Sequence, residues 1–205
     1  MPTKSDPLSG KHVVVGVTGG IAAYKAAAMV SRMVQCGADV RVVMTESATR
    51  FVTTLTFQAL SRNAVHVGLW EAGDSFSSTH VALGDWADLC VVAPATADFL
   101  AKAACGLADD LLSTTLLALD CPVLLAPAMN NRMWNKRVVQ DNVARLNELG
   151  YHIVGPVEGR LACGTSGAGR MVEPDEILAA LRALVPDAAT AKPSRSKKTK
   201  RGTRS

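Results

Sequence analysis

The loop formed by residues 16–20 places glycines and a threonine directly after a run of β-branched residues. Glycines permit a close approach of the backbone to a ligand, and the N-terminus of the helix that follows favours an anion. We therefore expect Thr18, Gly19 and Gly20 to bind the phosphate of a cofactor, with a tight structural turn as the alternative. The spacing matches neither GxGxxG nor the GxxxxGK pattern, which disfavours an ordinary dinucleotide or a nucleoside triphosphate.

Two further loops carry hydroxyl groups in equivalent positions. Thr45 and Ser47 follow the second apolar run, and Thr96 follows a later one. Hydroxyls at these places can donate hydrogen bonds to phosphate oxygens, although each of them could instead cap a helix. Three such loops at one edge of a sheet favour a mononucleotide as the ligand.

Apolar runs alternate along the chain with segments of helical periodicity. Strands are predicted at residues 12–17, 38–44, 89–93, 123–126 and 151–154. Helices are predicted at 21–36, 99–119 and 135–149, and the last of these should stop at Gly150. The alternation predicts an α/β fold, a Rossmann-like or flavodoxin-like parallel sheet with helices on both faces, whose ligands bind beyond the carboxyl ends of the strands.

The composition is that of one globular domain. Hydrophobic residues make up 48% of the 205 residues, and the longest apolar runs fall far short of the ~20 residues that a membrane span requires. No apolar signal segment opens the sequence, so we expect a soluble, cytoplasmic protein without a membrane partner. The five cysteines are odd in number and none lies at metal-finger spacing, so neither a disulfide framework nor a metal site is expected.

The net charge of +4 is unevenly distributed. The last fifteen residues contain seven basic side chains and no acidic one; without them, 15 basic residues face 18 acidic ones, a net charge of −3. We predict an N-terminal extension at residues 1–10, one domain at 11–185 and a disordered basic tail at 186–205. The tail could bind nucleic acid or an acidic partner, but a solvated extension is favoured, and we do not expect the protein to bind nucleic acid.

Seven short motifs are distinctive as a set: GVTGGIAAYK at 16–25, THVAL at 79–83, WAD at 86–88, APATAD at 93–98, ADDLL at 108–112, PAMNNRMW at 127–134 and LACG at 161–164. Together they resemble the homo-oligomeric flavin-containing cysteine decarboxylases, above all the phosphopantothenoylcysteine decarboxylase domain of coenzyme A biosynthesis. That family uses FMN to oxidise a cysteine side chain to a thioaldehyde, from which CO2 leaves easily because the remaining electrons are delocalised onto the C=S group. The resemblance therefore implies that the domain at 11–185 is an FMN-binding cysteine decarboxylase.

The resemblance also implies roles for individual residues. His80 matches the family's catalytic base. Asn130 matches the residue that binds the substrate carboxylate, where a permanent cation would stabilise the ground state and oppose loss of CO2. Cys163 matches the cysteine that returns a proton and reduces the enethiol intermediate. Further substrate contacts are implied for Arg160, Ala162 and Met171, around a glycine-rich loop that could close over the substrate. FMN contacts are implied for Thr18, Gly19, Gly20, Thr45, Ser47, Ala95, Thr96, Ala97, Asp98 and Ala128.

The sequence departs from the family pattern at three points. Asp98 stands where the family usually has asparagine, Thr165 and Ser166 replace an Asp-containing turn, and the domain that makes phosphopantothenoylcysteine in bacterial relatives does not follow. The stand-alone architecture favours a second hypothesis, the oxidative decarboxylation of a C-terminal cysteine to an aminoenethiol in the maturation of a ribosomally made peptide. A third hypothesis is a flavoprotein that only binds a partner, against which the retention of His80, Asn130 and Cys163 argues.

Assembly is the last property that the resemblance implies. Members of the family form trimers, or dodecamers built from trimers, with each FMN at a subunit interface and the histidine contributed across it. We therefore expect a homo-oligomer that acts on a small cysteinyl substrate or on a peptide C-terminus.

Overall fold

Six parallel strands form the central sheet of the structure, a computed structural model that describes residues 6–70, 78–160 and 166–185. The strands are β1 His12–Val17, β2 Asp39–Met44, β3 Val65–His66, β4 Leu89–Ala95, β5 Val123–Pro127 and β6 His152–Ile153. They follow the order β3-β2-β1-β4-β5-β6, with Val15 opposite Val42 on one side and Val91 on the other. The order changes direction at β1, so the loops after β1 and β4 diverge and open a crevice.

Helices cover both faces of this sheet. They are α1 Ala23–Gln35, α2 Thr54–Ser61, α3 Thr79–Trp86, α4 Ala97–Cys105, α5 Leu111–Ala118, α6 Asn131–Trp134, α7 Arg137–Glu148 and α8 Pro174–Ala183. Alternate residues of β1 face opposite layers: Val13 and Val15 pack with α1 and α8, whereas Val14 packs with α3, α4, α5 and α7. Every residue of β4 is buried, as expected for a strand covered on both faces. The predicted α/β fold is confirmed.

The single helix predicted at 99–119 is wrong, because the segment forms two helices. Helix α4 ends at Gly106, whose φ of +69° is a left-handed C-cap. Helix α5 then begins at Asp110, whose carboxylate accepts a hydrogen bond from the backbone N–H of Ser113 while the Ser113 hydroxyl accepts one from the Asp110 N–H. This capping box starts a new helix in spite of the continuous apolar pattern. The predicted end of the helix before Gly150 is confirmed, since α7 ends at Glu148.

An antiparallel pair of strands, β7 Val157–Arg160 and β8 Ser166–Arg170, lies outside the main sheet. The glycines of this stretch predict a loop, but the structure has two strands here, and the sequence pattern does not predict them. Residues 161–165, which join the two strands, and the predicted tail at 186–205 lie outside the described residues. Within the described ranges, none of the helices is both long and apolar enough to span a bilayer.

Residues 6–10, which belong to the predicted N-terminal extension, are attached to α8. Leu8 is fully buried, and Asp6 accepts hydrogen bonds from Arg182, including one of 2.7 Å from Nη2. The hydrogen bond from Arg182 outweighs partial burial and lowers the pKa of Asp6 to about 2. Because the folded-state pKa lies below the unfolded one, the ionised pair stabilises the fold above pH ~4, and this contribution is lost as the pH falls towards ~2.

We therefore predict that Asp6→Asn lowers the free energy of unfolding by about 1–2 kcal/mol at pH 7, after allowance for the partial exposure of the pair. The difference from the native protein should shrink as the pH falls through about 2, the pKa of Asp6, and urea unfolding at several pH values measures it. Asp175→Asn is the control, since it removes a solvent-exposed ion pair with Arg32 and should change stability by less than about 0.5 kcal/mol. Equal effects of the two substitutions would contradict the prediction.

Candidate functional site

Two adjoining cavities lie at the carboxyl edge of the sheet. The larger has a volume of about 790 Å3 and the smaller about 490 Å3. Gly19, Thr96, Ala97 and Met133 line both cavities, which therefore form one continuous cleft. These volumes lie in the usual range for cofactor and small-molecule sites.

The loop between β1 and α1 packs closely against the loop after β2 at the cleft. A Cβ atom at Gly19 would lie 2.4 Å from Ser47 Cβ and 2.9 Å from the Ser47 carbonyl carbon. Only glycine therefore lets the loops after β1 and β2 meet. At Gly20 the nearest atom to such a Cβ would be Thr96 Cγ2 at 3.8 Å, so this side of the loop is open towards the cleft.

Hydroxyl groups on the cleft wall have several local partners. Thr18 Oγ1 donates to the Pro94 carbonyl at 2.7 Å and accepts from the Thr96 N–H at 3.1 Å, so it joins the loops after β1 and β4. Thr96 Oγ1 accepts from the Phe99 N–H and caps α4, and Thr45 Oγ1 accepts from the Ala48 N–H. Ser47 makes no side-chain capping bond. The structure thus shows local capping bonds for Thr96 and Thr45, while their binding of a phosphate stays a prediction.

The smaller cavity is polar and contains a lysine that sequence analysis misses. Lys102 Nζ lies 3.4 Å from Asp98 Oδ2, 3.1 Å from Asp109 Oδ1 and 3.4 Å from Asp110 Oδ2. Partial burial acts to lower the pKa of Lys102, but the hydrogen bond to Asp109 and the charges of Asp110 and Asp98 outweigh it and raise the pKa to about 12. Asp98, the residue that departs from the family pattern, therefore faces the cavity together with a permanent cation. The two adjacent aspartates of the ADDLL motif could have indicated a nearby cation in the sequence.

Asn130 stands at the wall of the larger cavity, in the loop after β5. It is the N-cap of α6, and its Oδ1 accepts from the Arg132 N–H at 2.8 Å. Two backbone hydrogen bonds hold the loop: the Ala128 N–H donates to the Ala95 carbonyl at 3.0 Å, and the Met129 N–H donates to the Gly169 carbonyl at 2.9 Å. The loop is thus held between β4 and β8, and its amide lies at a defined place beside the cleft.

Lys25 is a second lysine of the site that sequence reasoning leaves without a role. Its side chain is 9% exposed and lines the larger cavity with Arg170. Lys25 Nζ donates to Glu173 Oε1 at 2.8 Å and to the Met171 carbonyl at 3.3 Å, and Arg170 pairs with the same Glu173 oxygen. These hydrogen bonds, from Lys25 and then Arg170, lower the pKa of Glu173. The local signal for Lys25 is its place in the GVTGGIAAYK motif.

The other predicted site residues differ in how they lie relative to the cleft. His80 lies in the first turn of α3, is half-buried, and is not among the residues that line either cavity. Met171 is 1% exposed and contributes to the wall of the larger cavity while packing into the core. Arg160 ends β7. Ala162 and Cys163 lie outside the described residues. Ala95 is buried at the end of β4, and Ala97 and Ala128 line the cleft.

The walls of the cleft fit the FMN that the motifs imply. The smaller cavity offers Gly19, Thr45, Ser47 and Thr96, whose N–H and O–H groups suit a phosphate and a ribityl chain. The larger cavity has a mainly apolar wall, including Ala128 and Met129, with room for a planar ring. The few polar side chains that line the larger cavity include Asn130, Lys25 and Arg170.

Comparison with known proteins gives one family and a consistent set of relatives. The family model described as "Flavoprotein" matches residues 1–186. The Coenzyme A biosynthesis bifunctional protein CoaBC of Haemophilus influenzae is 48% identical over 174 residues, covering 85% of this chain and 44% of the relative. CoaBC of Bacillus subtilis is 50% identical over 171 residues, covering 83% and 42%. The chain thus spans less than half the length of these relatives.

Two solved structures of similar fold are named as decarboxylases. A PPC decarboxylase mutant complexed with pantothenoylaminoethenethiol has a TM-score of 0.77 and 32% identity, covering 85% of this chain and 97% of that one. The FMN-dependent cysteine decarboxylase SpaF has a TM-score of 0.75 and 36% identity, covering 87% and 98%. In both cases the similarity extends over almost the whole of the solved chain.

Proposed function

We propose, because this chain belongs to the flavoprotein family, that it is an FMN-dependent decarboxylase acting on a terminal cysteine. The observation that carries the proposal is the position of Asn130, a neutral amide held by backbone hydrogen bonds at the wall of a mainly apolar cavity. This cavity continues into one lined by glycine and hydroxyl groups. This arrangement supports the assignment of a carboxylate-binding group beside a site for a phosphorylated cofactor.

FMN would be held by the loops after β1, β2, β4 and β5. The phosphate end is assigned to the smaller cavity, where Gly19, Thr45, Ser47 and Thr96 meet, and the ring to the larger one beside Ala128. When bound, FMN would accept two electrons from the thiol-bearing carbon of the substrate, which makes the later loss of CO2 easy, and its reduced form would return two electrons to the enethiol, so that the product differs from the substrate by CO2 alone. Thr18 supports this site indirectly, because its hydroxyl joins two of the loops.

Asn130 is proposed to bind the substrate carboxylate through its amide N–H groups. Its Oδ1 caps α6, which orients the amide at the cavity wall. A neutral donor orients the carboxylate without the strong ground-state stabilisation that a full charge would give. Loss of CO2 is then opposed less than it would be by an unpaired lysine or arginine.

His80 and Cys163 are proposed to move protons. His80 is assigned as the base that takes a proton while the thiol-bearing carbon is oxidised. Because His80 lines neither cavity of its own chain, we propose that it serves the cleft of a neighbouring subunit in a homotrimer or in a dodecamer of trimers. Cys163, in the LACG motif, is assigned the return of a proton to the enethiol, with Arg160, Ala162 and Met171 as further substrate contacts.

The substrate is proposed to be 4'-phosphopantothenoylcysteine, with 4'-phosphopantetheine as the product. The support is that the curated relatives are named for coenzyme A biosynthesis and that a PPC decarboxylase is among the similar structures. A peptide with a C-terminal cysteine is the alternative outcome of the test.

The test is a flavin spectrum followed by an activity assay. The purified protein should be yellow and should release FMN on denaturation. Incubated with phosphopantothenoylcysteine, it should give a product that is lighter by CO2 alone, which mass spectrometry measures. Exclusive turnover of a cysteine-terminated peptide, with loss of CO2 and two hydrogens, would replace this substrate by the peptide. Colourless protein that FMN cannot reconstitute would overturn the proposed function.

A further inference from the structure

Two cations stand at the wall of the larger cavity. Lys25 and Arg170 line it, and its described lining residues include no carboxylate. According to the function proposed above, the substrate carboxylate binds in this cavity next to Asn130. Unpaired cations there would stabilise the carboxylate more before the reaction than in the transition state, where its charge has moved towards the C=S group, and would slow the loss of CO2.

Glu173 contacts both cations and is not itself among the residues that line the cavity. Its Oε1 accepts a hydrogen bond from Lys25 Nζ at 2.8 Å and one from Arg170 Nη2. A single oxygen therefore engages both positive groups. Lys25 is also held by the Met171 carbonyl, and its side chain is almost fully buried, so water screens its charge only weakly.

The charge of this cluster follows from its three members. The lowered pKa of Glu173 keeps its carboxylate ionised at neutral pH, so two cations and one anion give a formal charge of +1. Neutralising Glu173 would raise the charge to +2 at the cavity wall. Removing Lys25 as well would return it to +1.

We propose that Glu173 is a positioning residue that holds Lys25 and Arg170 in ion pairs and so limits the positive charge felt by the carboxylate that is to leave as CO2. The proposal rests on the decarboxylase function proposed above. It assigns to Glu173 an effect on the balance between substrate binding and turnover, which a residue that only joins α1 to α8 would not have.

The test uses the FMN-loaded protein with Glu173→Gln. Glutamine keeps an oxygen that can accept from the Glu176 N–H at the start of α8, so the helix cap is retained. We expect KM to fall about fivefold and kcat to fall about tenfold, because the added positive charge favours the bound carboxylate over the transition state. A substrate analogue with serine in place of cysteine has no thiol to oxidise, and calorimetry should show that it binds more tightly to the variant.

A double variant separates charge from structure. Lys25→Met in the Glu173→Gln background restores the charge of +1 and should return both KM and kcat towards the native values, and Arg170→Gln in that background should do the same. Glu176→Gln is the matched control: its carboxylate belongs to the same capping box but contacts neither cation, so both constants should stay unchanged.

A higher KM in Glu173→Gln, or double variants that are worse than the single one, would overturn the proposal and leave Glu173 as a structural tie. The two proposals fail separately. A native protein that does not decarboxylate phosphopantothenoylcysteine would overturn that function, whereas the affinities for the serine analogue would still decide whether Glu173 limits the charge of the cavity.

Discussion

Asn130→Asp is expected to reduce turnover severely while leaving the fold intact. Aspartate keeps the oxygen that accepts from the Arg132 N–H, so the cap of α6 survives. It loses the amide donor, however, and places a negative charge against the substrate carboxylate. We expect kcat/KM to fall at least about 100-fold, since a lost hydrogen bond to a charged group and a new repulsion act together. Steady-state kinetics and thermal unfolding measure the two parts of this prediction.

A matched control for the added charge is Asn135→Asp. Asn135 is exposed and is the C-cap of the same short helix, so its replacement alters the local charge equally without touching the cavity wall. Activity should then change less than about twofold. Equal losses in the two variants would mean that general electrostatics, and not the amide of Asn130, determines turnover.

Co-expression of two inactive variants tests how His80 reaches the cleft. If His80 serves a neighbouring subunit, Asn130→Asp and His80→Asn chains mixed in one oligomer should restore about a quarter of the sites, because random assembly pairs one intact Asn130 with one intact His80 at that frequency. No recovered activity in mixed oligomers would place His80 and Asn130 in the same subunit's site, and full activity of the His80→Asn protein alone would place His80 outside the reaction.

Five of the six strands and the loops that follow them could be predicted from the sequence because their signals are local, whereas the two-residue edge strand β3 was not predicted. The buried strands are continuous apolar runs, rich in valine in β1, and the glycines after β1 mark a turn whose geometry depends on its neighbours in sequence. Asn130 likewise belongs to a contiguous motif. In the structure the loops that follow β1, β2, β4 and β5 meet at one edge, which is a property of parallel topology rather than of any single residue.

The features that the sequence pattern could not predict are of two kinds. Some depend on partners far away in sequence, and others depend on local signals that compete with each other. The partner of Lys25 is 148 residues away, and no spacing rule connects α1 with the start of α8. The break between α4 and α5 depends on Gly106 and on the Asp110 capping box, which prevail over an uninterrupted apolar periodicity. For Thr18 the position was predicted but the partner was not. Its hydroxyl lies at the predicted edge of the sheet, where it donates to the Pro94 carbonyl and accepts from the Thr96 N–H.

The β7–β8 pair is the missed element with the greatest consequence for the site. Its glycines predict a loop. In the structure, however, the backbone at Gly169 packs so closely against the loop after β5 that a side chain at this position would not fit. Gly169 has φ +147°, and a Cβ there would lie 2.4 Å from the Met129 carbonyl oxygen and 3.2 Å from the Asn131 nitrogen. Close packing of two backbones, and not flexibility, therefore explains this glycine, and the loop that carries Asn130 depends on it.

Gly169→Ala should consequently damage both stability and activity. Strained backbone and the collision with Met129 together should lower the free energy of unfolding by about 2–3 kcal/mol. Any relief by movement of β8 would break the hydrogen bond from the Met129 N–H and displace Asn130, so kcat/KM should fall at least about tenfold. Gly159→Ala is the matched control on β7, since its Cβ would meet only the flexible end of Arg170 at 3.2–3.3 Å. If the two alanine variants unfolded at the same temperature with equal activity, β8 would not be what holds Asn130 in place.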